Sequence, residues 1–250
     1  MGKQSGIFKI EGTLDDVTFY RSRDGRFLVK RKSGVNGDRI KNDPEFARTR
    51  ENGSEFTNIA QSGKVMRNAL ADLIFDVNDI TKVQRLTAAM SRVKNLDDTS
   101  VRGERNVATG IATPQGKQAL KLFNFNGNAR MSSVLKTDYE LDTVGLTISI
   151  DGFTPVKNLG SPDGATHVEL SGGFLNLDFA SEDSELVLTN VENLAIDNTE
   201  TDVTLTFPST PAGSGVNFYL LKVAFFQELN GTQYPLNNGA YNALQLIEVE

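Results

Sequence analysis

The spacing of apolar residues changes twice along this chain, and those changes limit the folds open to it. Residues 6–32 carry short strand-like runs, and from about residue 43 to 122 the apolar positions recur at three and four. After Gly127 they alternate, or run together in short segments parted by Gly, Pro, Asp and Asn. Helices and strands are therefore segregated along the sequence, which predicts an α+β fold.

In the helical stretch, Phe56, Ile59, Ala60, Gly63, Arg67, Leu70, Leu73, Ile74 and Val77 trace one face. Ile80, Val83, Leu86, Met90 and Val93 trace a second, ending near Leu96. The short Asn78-Asp79 break between them predicts an antiparallel helical hairpin. Upstream, Asp43-Pro44-Glu45 combines a capping Asp, a first-turn Pro and an acid, which predicts a short helix to about Arg50. Asn52-Gly53-Ser54 reads as a turn, residues 97–112 as a loop, and Thr113-Pro114 as the cap of a helix through Leu122.

Beyond Gly127, segments 147–150, 168–170, 174–179, 186–188, 203–207, 218–226 and 244–249 are candidate strands. Asn230-Gly231 sits between two further short runs as a two-residue type I′ turn. Strands of this number and spacing predict an immunoglobulin-like antiparallel β-sandwich, in architecture only, since the Cys and Trp hallmarks are missing. At the other end, residues 6–32 read as a small β-hairpin unit with strands over 7–10, 17–21 and 26–30 and a turn at Asp24-Gly25. Residues 33–42 read as a glycine-punctuated loop. The expected division is a basic β/helical domain over residues 1–130 and an acidic sandwich over 131–250.

Charge follows the same division. Residues 1–136 carry 24 Lys/Arg and 15 Asp/Glu, whereas residues 137–250 carry 2 and 17, within a formal charge of −6. Such asymmetry suits electrostatic docking between surfaces of opposite sign.

Residue types exclude much chemistry. With no Cys, thiol catalysis, Cys-ligated zinc and disulfides are closed to the chain, and His167 is its one imidazole. No phosphate-loop, dinucleotide or G-x-S-x-G pattern occurs. The acids Asp138, Glu140 and Asp142, and the cluster Glu182-Asp183-Ser184-Glu185, lack calcium-loop spacing and read as solvated faces. No catalytic, cofactor or metal site is expected. Apolar runs fall short of the roughly 18 residues of a membrane span, and the first residues carry no apolar signal core, so a cytoplasmic protein is expected.

The candidate interaction residues are the cations around the first hairpin: Arg21, Arg23, Arg26, Lys30, Arg31 and Lys32, with Tyr20 and Phe27 interleaved. Arg102 and Arg105, with Lys117, Lys121 and Arg130 behind them, form a second basic group. A basic ribbon can enter a DNA groove. Asp15, Asp16, Asp24 and the acidic second half oppose a polyanion, and the same cations suit an acidic neighbour. The expected function is a non-enzymatic structural protein whose partner is another copy of itself, joined head to tail into a filament, tube or ring. The alternative is a cytoplasmic DNA-binding protein that uses the basic hairpin.

Three segments carry a resemblance: GIFKIEGTLDDVTFYRSRDGRFLVKRK, DPEFARTRENGSEF and QELNGTQYPLNNGAYNAL. Together they resemble a family of Bacteroidota proteins without a settled activity, matching at both ends and in the helical centre and more loosely in the strands. The resemblance implies this layout and a bacterial cytoplasmic origin, and it assigns no catalytic residue.

Overall fold

The computed structural model describes residues 2–31, 34–35 and 37–250. It mixes helices with antiparallel sheets, one of them curled into a half-barrel. The chain divides into two compact units, Met1–Glu51 and Asn52–Glu250, so residues 125–135 lie inside the second unit. By sequence the first unit carries 12 Lys/Arg and 8 Asp/Glu, and the second 14 and 24.

The first unit is an antiparallel sheet of β1 (Gly2–Lys3), β2 (Gly12–Leu14), β3 (Val17–Arg21) and β4 (Phe27–Arg31), in the order β1-β4-β3-β2. No strand forms over residues 7–10. That segment is an exposed excursion between β1 and β2, held by Gln4, whose side chain donates to the Ile10 carbonyl at 3.0 Å and accepts from the Ile10 amide at 2.9 Å. Helix α1 (Gly37–Asn42) occupies part of the expected glycine loop.

The Asp43 carboxylate accepts from the Glu45 amide at 3.0 Å and caps a tight turn over Pro44–Phe46. Helix α2 (Ala47–Ala69) follows directly and runs through Asn52-Gly53-Ser54, so the two helices and intervening turn expected there are one helix. A lone Gly costs a helix only about 1 kcal/mol, too little to end it. The buried stripe of α2 is Glu55, Ile59, Ser62, Gly63 and Met66, and Phe56 is 61% exposed rather than on that face. Glu55 takes the place expected of Phe56, and one residue along a helix is a rotation of about 100°.

Leu70 (φ −100°, ψ 17°) interrupts the long helix before α3 (Ala71–Ile74), and α4 (Lys82–Lys94) buries Leu86, Ala89, Met90 and Val93. Ile80 precedes α4 and is 82% exposed, and Val83 is 45% exposed, so the expected face begins only at Leu86. Helix α5 (Val107–Ile111) lies in the expected loop, capped by the Asn106 side chain accepting from the Thr109 amide at 2.8 Å. Helix α6 (Pro114–Leu120) starts at the expected cap, where Thr113 Oγ1 accepts from the Gly116 amide at 3.0 Å. No helix among the described residues is long and apolar enough to cross a membrane.

After α7 (Met131–Val134) come β5 (Glu140–Asp142), β6 (Thr147–Phe153), α8 (Pro155–Asn158), β7 (His167–Leu177), β8 (Ser184–Leu188), β9 (Glu192–Ala195), β10 (Thr201–Thr206), β11 (Val216–Leu229), β12 (Thr232–Pro235) and β13 (Ala243–Val249). Strands β7 and β11 pair along the middle of a six-stranded sheet, with β8 and β9 on the far side of β7 and β12 and β13 on the far side of β11. A second sheet has the order β10-β6-β5. Leu175, Leu177, Phe218 and Leu220 of the large sheet share one core with the apolar residues of α2 to α6. Val168, Leu170, Phe174, Tyr219, Leu221, Val223 and Phe225 share the other with Ile148, Ile150, Val203 and Leu205 of the small sheet. Alternation along each strand sends its residues to opposite cores, so both faces of the sheet are covered and 218–226 reads as an apolar run broken only by Lys222.

Two glycines in mid-β7 let these layers close. A Cβ on Gly172 would lie 3.0 Å from Ile148 Cδ1, and one on Gly173 only 2.5 Å from Leu73 Cδ1, on opposite faces of the strand. Asn230 (φ 53°) and Gly231 (φ 78°) form the expected two-residue turn between β11 and β12.

The α2 interruption that the sequence suggested is a testable point. A Cβ on Gly53 meets nothing within 4 Å. Gly53→Ala should therefore stabilise the chain by about 0.5–1 kcal/mol, measured by urea denaturation. A loss of stability would mean that Gly53 is not helical.

Candidate interaction surface

In an antiparallel ladder, directly opposed residues share a face and successive ones alternate. The register Val17↔Arg31, Phe19↔Val29, Arg21↔Phe27 and Leu14↔Val17 therefore gathers Leu14, Val17, Phe19, Phe27 and Val29 on one face, with Arg21 and Arg31 at its ends. The register Thr18↔Lys30, Tyr20↔Leu28 and Lys3↔Leu28 puts Lys3, Thr18, Tyr20, Leu28 and Lys30 on the other. One face is thus an apolar patch rimmed by guanidinium groups. None of the described residues from Gly2 to Glu51 is buried; Leu14 is 69% exposed.

The candidate cations have distinct placements. The Arg21 guanidinium stands 5.6 Å from the centroid of Phe27, and Lys30 Nζ 5.5 Å from that of Tyr20, so each cation caps an aromatic ring of the neighbouring strand. Arg23 is exposed in the turn. Arg26 pairs with Asp24, which also accepts from the Ser22 hydroxyl; those two hydrogen bonds hold the Asp24 carboxyl down to about 2. Arg31 is exposed at the end of β4, and Lys32 lies outside the described residues.

The turn itself is longer than the two residues expected of Asp24-Gly25. The Ser22 amide donates to Arg26 O and the Gly25 amide to Ser22 O, both at 2.8 Å, which leaves a loop of Arg23, Asp24 and Gly25. Only Gly25 has a positive φ, 81°. A type I turn closed by a left-handed third residue is the three-residue hairpin loop, and Gly meets its requirement without steric cost.

Arg102 and Arg105 belong to the second unit. Arg102 is exposed between α4 and α5. Arg105 is engaged: its Nε and Nη2 donate to the two Glu55 carboxylate oxygens at 2.8 and 2.9 Å. Lys94 Nζ donates to the same carboxylate at 2.5 Å and the Gly103 amide at 3.0 Å. Glu55 is 4% exposed and Lys94 5%, so this is a buried clasp that ties the 97–106 loop to α2 and α4. Asp97 completes it, accepting from the amides of Thr99, Ser100 and Asn106 at 3.2, 2.9 and 3.0 Å. The clasp was outside the reach of sequence reasoning, because its members lie 39 and 50 residues apart. The one signal was an acid where the apolar stripe of α2 calls for a hydrophobe.

A comparison with family models, curated proteins and solved structures finds no match for this chain.

The Arg105 hydrogen bonds, aided by Lys94 and the Gly103 amide, overcome burial and hold the Glu55 carboxyl down to about 2 from an ordinary 4.5. A carboxyl depressed by folding stabilises the native state above its unfolded value and loses that contribution as pH falls through its folded value. Stability should thus decline between about pH 4.5 and about pH 2 by roughly 3 kcal/mol from this group. Glu55→Gln should remove much of the decline over that interval and should destabilise the chain by about 3 kcal/mol at neutral pH. Urea titrations of both proteins at pH 7 and pH 3 measure it, and parallel losses in the two would refute the clasp's role.

Proposed function

We propose that the chain is a non-enzymatic structural protein that self-associates head to tail, the N-terminal sheet of one copy docking on the acidic second unit of the next. The observation that carries this reading is a four-stranded sheet with an apolar face and no buried residue. Small sheets need a covered hydrophobic face to be stable in water. Arg21 and Arg31 rim that face. The second unit offers matching charge, with exposed Glu140 and Asp142 on the edge strand β5 and Glu185 on the edge strand β8. In this reading the facing sheets serve as an immunoglobulin-like sandwich and the α2–α4 pair as a helical hairpin bracing it. A heterologous contact of this kind gives a ring where the rotation closes and a filament or tube where it does not.

The competing reading, DNA binding through the hairpin in the cytoplasm, draws support from Arg21, Arg23, Arg26, Lys30 and Arg31 on one ribbon. Their division weakens it. By register Arg21 and Arg31 lie on one face and Lys30 on the other, and Asp24 already neutralises Arg26.

Sedimentation velocity of the full chain tests the proposal. Assemblies larger than a monomer are expected at low salt. They should shrink near 1 M salt, where the Debye length is about 3 Å. Phe19→Asp should leave a folded monomer, its far-UV circular dichroism unchanged beyond the loss of the small sheet. A monomeric parent protein at millimolar concentration and low salt would overturn self-association. A submicromolar duplex-DNA complex at about 150 mM salt, lost in Arg21→Ala/Arg23→Ala/Arg31→Ala, would establish the competitor.

A further inference from the structure

We propose that the cleft between α4 and the segment after α6 binds an organic phosphate, a phosphate monoester carried on an apolar or aromatic body. The cleft has a volume of about 410 Å³, and four cations line it: Arg85, Arg92, Lys121 and Arg130. A second hollow of about 750 Å³ adjoins it, the two sharing Leu122, Asn124 and Arg130. The inference concerns the second unit alone and holds whether or not the chain assembles.

Charge in the cleft does not balance. Arg85 is matched by Asp79 at 2.5 Å, and three more of its five N–H donors go to Thr81 Oγ1 and the carbonyls of Asn124 and Phe125. Lys121 is matched by Glu248 at 2.5 Å. Arg92 and Arg130 are exposed, and among the described residues neither guanidinium has an ion pair or hydrogen bond. The surplus is two positive charges on two planar forks. A phosphate monoester carries about −1.5 to −2 at neutral pH and offers three acceptor oxygens, which suits two forks better than a monovalent carboxylate does.

The wall between the two hollows is built to hold its shape at a cost. Leu122 has a φ of 64°, a left-handed conformation that a bulky L-residue adopts only under constraint. The constraint is visible on both sides. Leu122 N donates to Leu246 O at 2.8 Å, Leu246 N to Phe123 O at 2.9 Å and Phe125 N to Leu244 O at 2.8 Å, lacing the segment to β13. From the opposite side Arg85 holds the carbonyls of Asn124 and Phe125 at 2.6 and 2.8 Å. The Leu122 side chain itself gains no burial from this conformation, since the residue is 54% exposed. Its effect is to set an apolar side chain beside the unmatched guanidinium groups, next to Phe123, whose ring already takes Arg85 at 5.5 Å. Strain held in place by the surrounding structure is a recurrent feature of ligand sites.

A small ligand fits better than a nucleic-acid strand. The second hollow ends at Asp138 and Tyr139, and a further hollow lined by Asp138, Glu140 and Asp151 begins there. A phosphate chain leaving the cations along that line would meet three carboxylates. One phosphate beside Arg92 and Arg130, with its organic body on Leu122 and Phe123, meets none of them.

Calorimetric titration of the full chain in phosphate-free buffer, with phenyl phosphate, inorganic phosphate and benzoate as probes, tests the site. Phenyl phosphate should saturate one site with a Kd below about 1 mM. Inorganic phosphate, which lacks the body, and benzoate, which lacks the second charge, should each bind at least tenfold more weakly. Arg92→Ala/Arg130→Ala, both exposed positions, should weaken phenyl phosphate at least tenfold with circular dichroism and melting unchanged, and Lys157→Ala should bind as the parent does. Leu122→Gly keeps both guanidinium groups and should narrow the gap between phenyl phosphate and inorganic phosphate. The proposal fails if phenyl phosphate does not saturate by 10 mM, if the folded double variant binds as tightly as the parent, or if benzoate is the tightest of the three.

Discussion

Strands β7 and β11 run antiparallel through eleven residue pairs, from Val216↔Leu177 to Phe226↔His167, and both hydrophobic cores of the second unit rest on the two faces of that pair. Everything laid against it must satisfy the alternation of a buried strand. Where a charge enters, it brings its partner: Lys222 faces the helices, 7% exposed, and finds Asp76 at 2.7 Å on the segment after α3. Asn242 donates to the Asp76 carbonyl at 3.0 Å and accepts from the Phe225 amide at 3.1 Å, tying that segment to β11 itself. Glu169 shares the helix-facing side of β7, and burial raises its carboxyl above the usual range. Helices and sheet are thus joined by hydrophobic contact together with the Lys222–Asp76 pair and the Asn242 hydrogen bonds, which restrict how one can shift on the other.

The doubly covered sheet explains which parts of the fold the sequence made legible. β11 is plain because a strand buried on both faces is apolar at nearly every position, Lys222 being the exception between Phe218 and Phe226, and Asn230-Gly231 is plain because few residues accept two successive positive φ values. The α2 face departs from the expected one at its start, where a charged residue occupies the buried stripe. Glu55 occupies a core position as an ionised carboxylate, since Lys94 and Arg105 pair with it from 39 and 50 residues away. Its neighbour Phe56, a core residue by spacing alone, is exposed. Residues 7–10 show the opposite error. Their apolar content fits a strand, yet no strand of the described residues pairs with them, and the Gln4 side chain satisfies the Ile10 backbone instead.

The interaction residues were legible as types and not as a surface. Arg21, Arg31 and Lys30 belong to one hairpin in sequence, but the pleat sends the first two to one face and the third to the other. Arg105 looked like a free surface cation and is committed to a buried carboxylate. Conversely, Arg130 belongs by sequence to the second basic group and Arg92 to none, and only the fold brings the two to one cleft.

Local neutralisation also changes what the charge asymmetry of the sequence means. The buried acids are satisfied within the second unit: Glu55 by Lys94 and Arg105, Asp97 by backbone amides, and Asp79 by Arg85 and the amides of Thr81 and Gly127. Burial alone would raise the Asp79 carboxyl, but the Gly127 and Thr81 donors, with Arg85, hold it well below the usual range. None of these charges is available to a partner. The net negative charge a neighbour would meet therefore sits on exposed positions such as Glu140, Asp142 and Glu185, which lie on edge strands. Carboxylates on an edge discourage one acidic sheet from extending another, because like charges would stand opposite each other across the new ladder. The same positions attract a surface rimmed by arginine. In the proposed assembly one set of side chains thus opposes pairing between two second units and favours docking of a first unit on a second, which is the head-to-tail orientation.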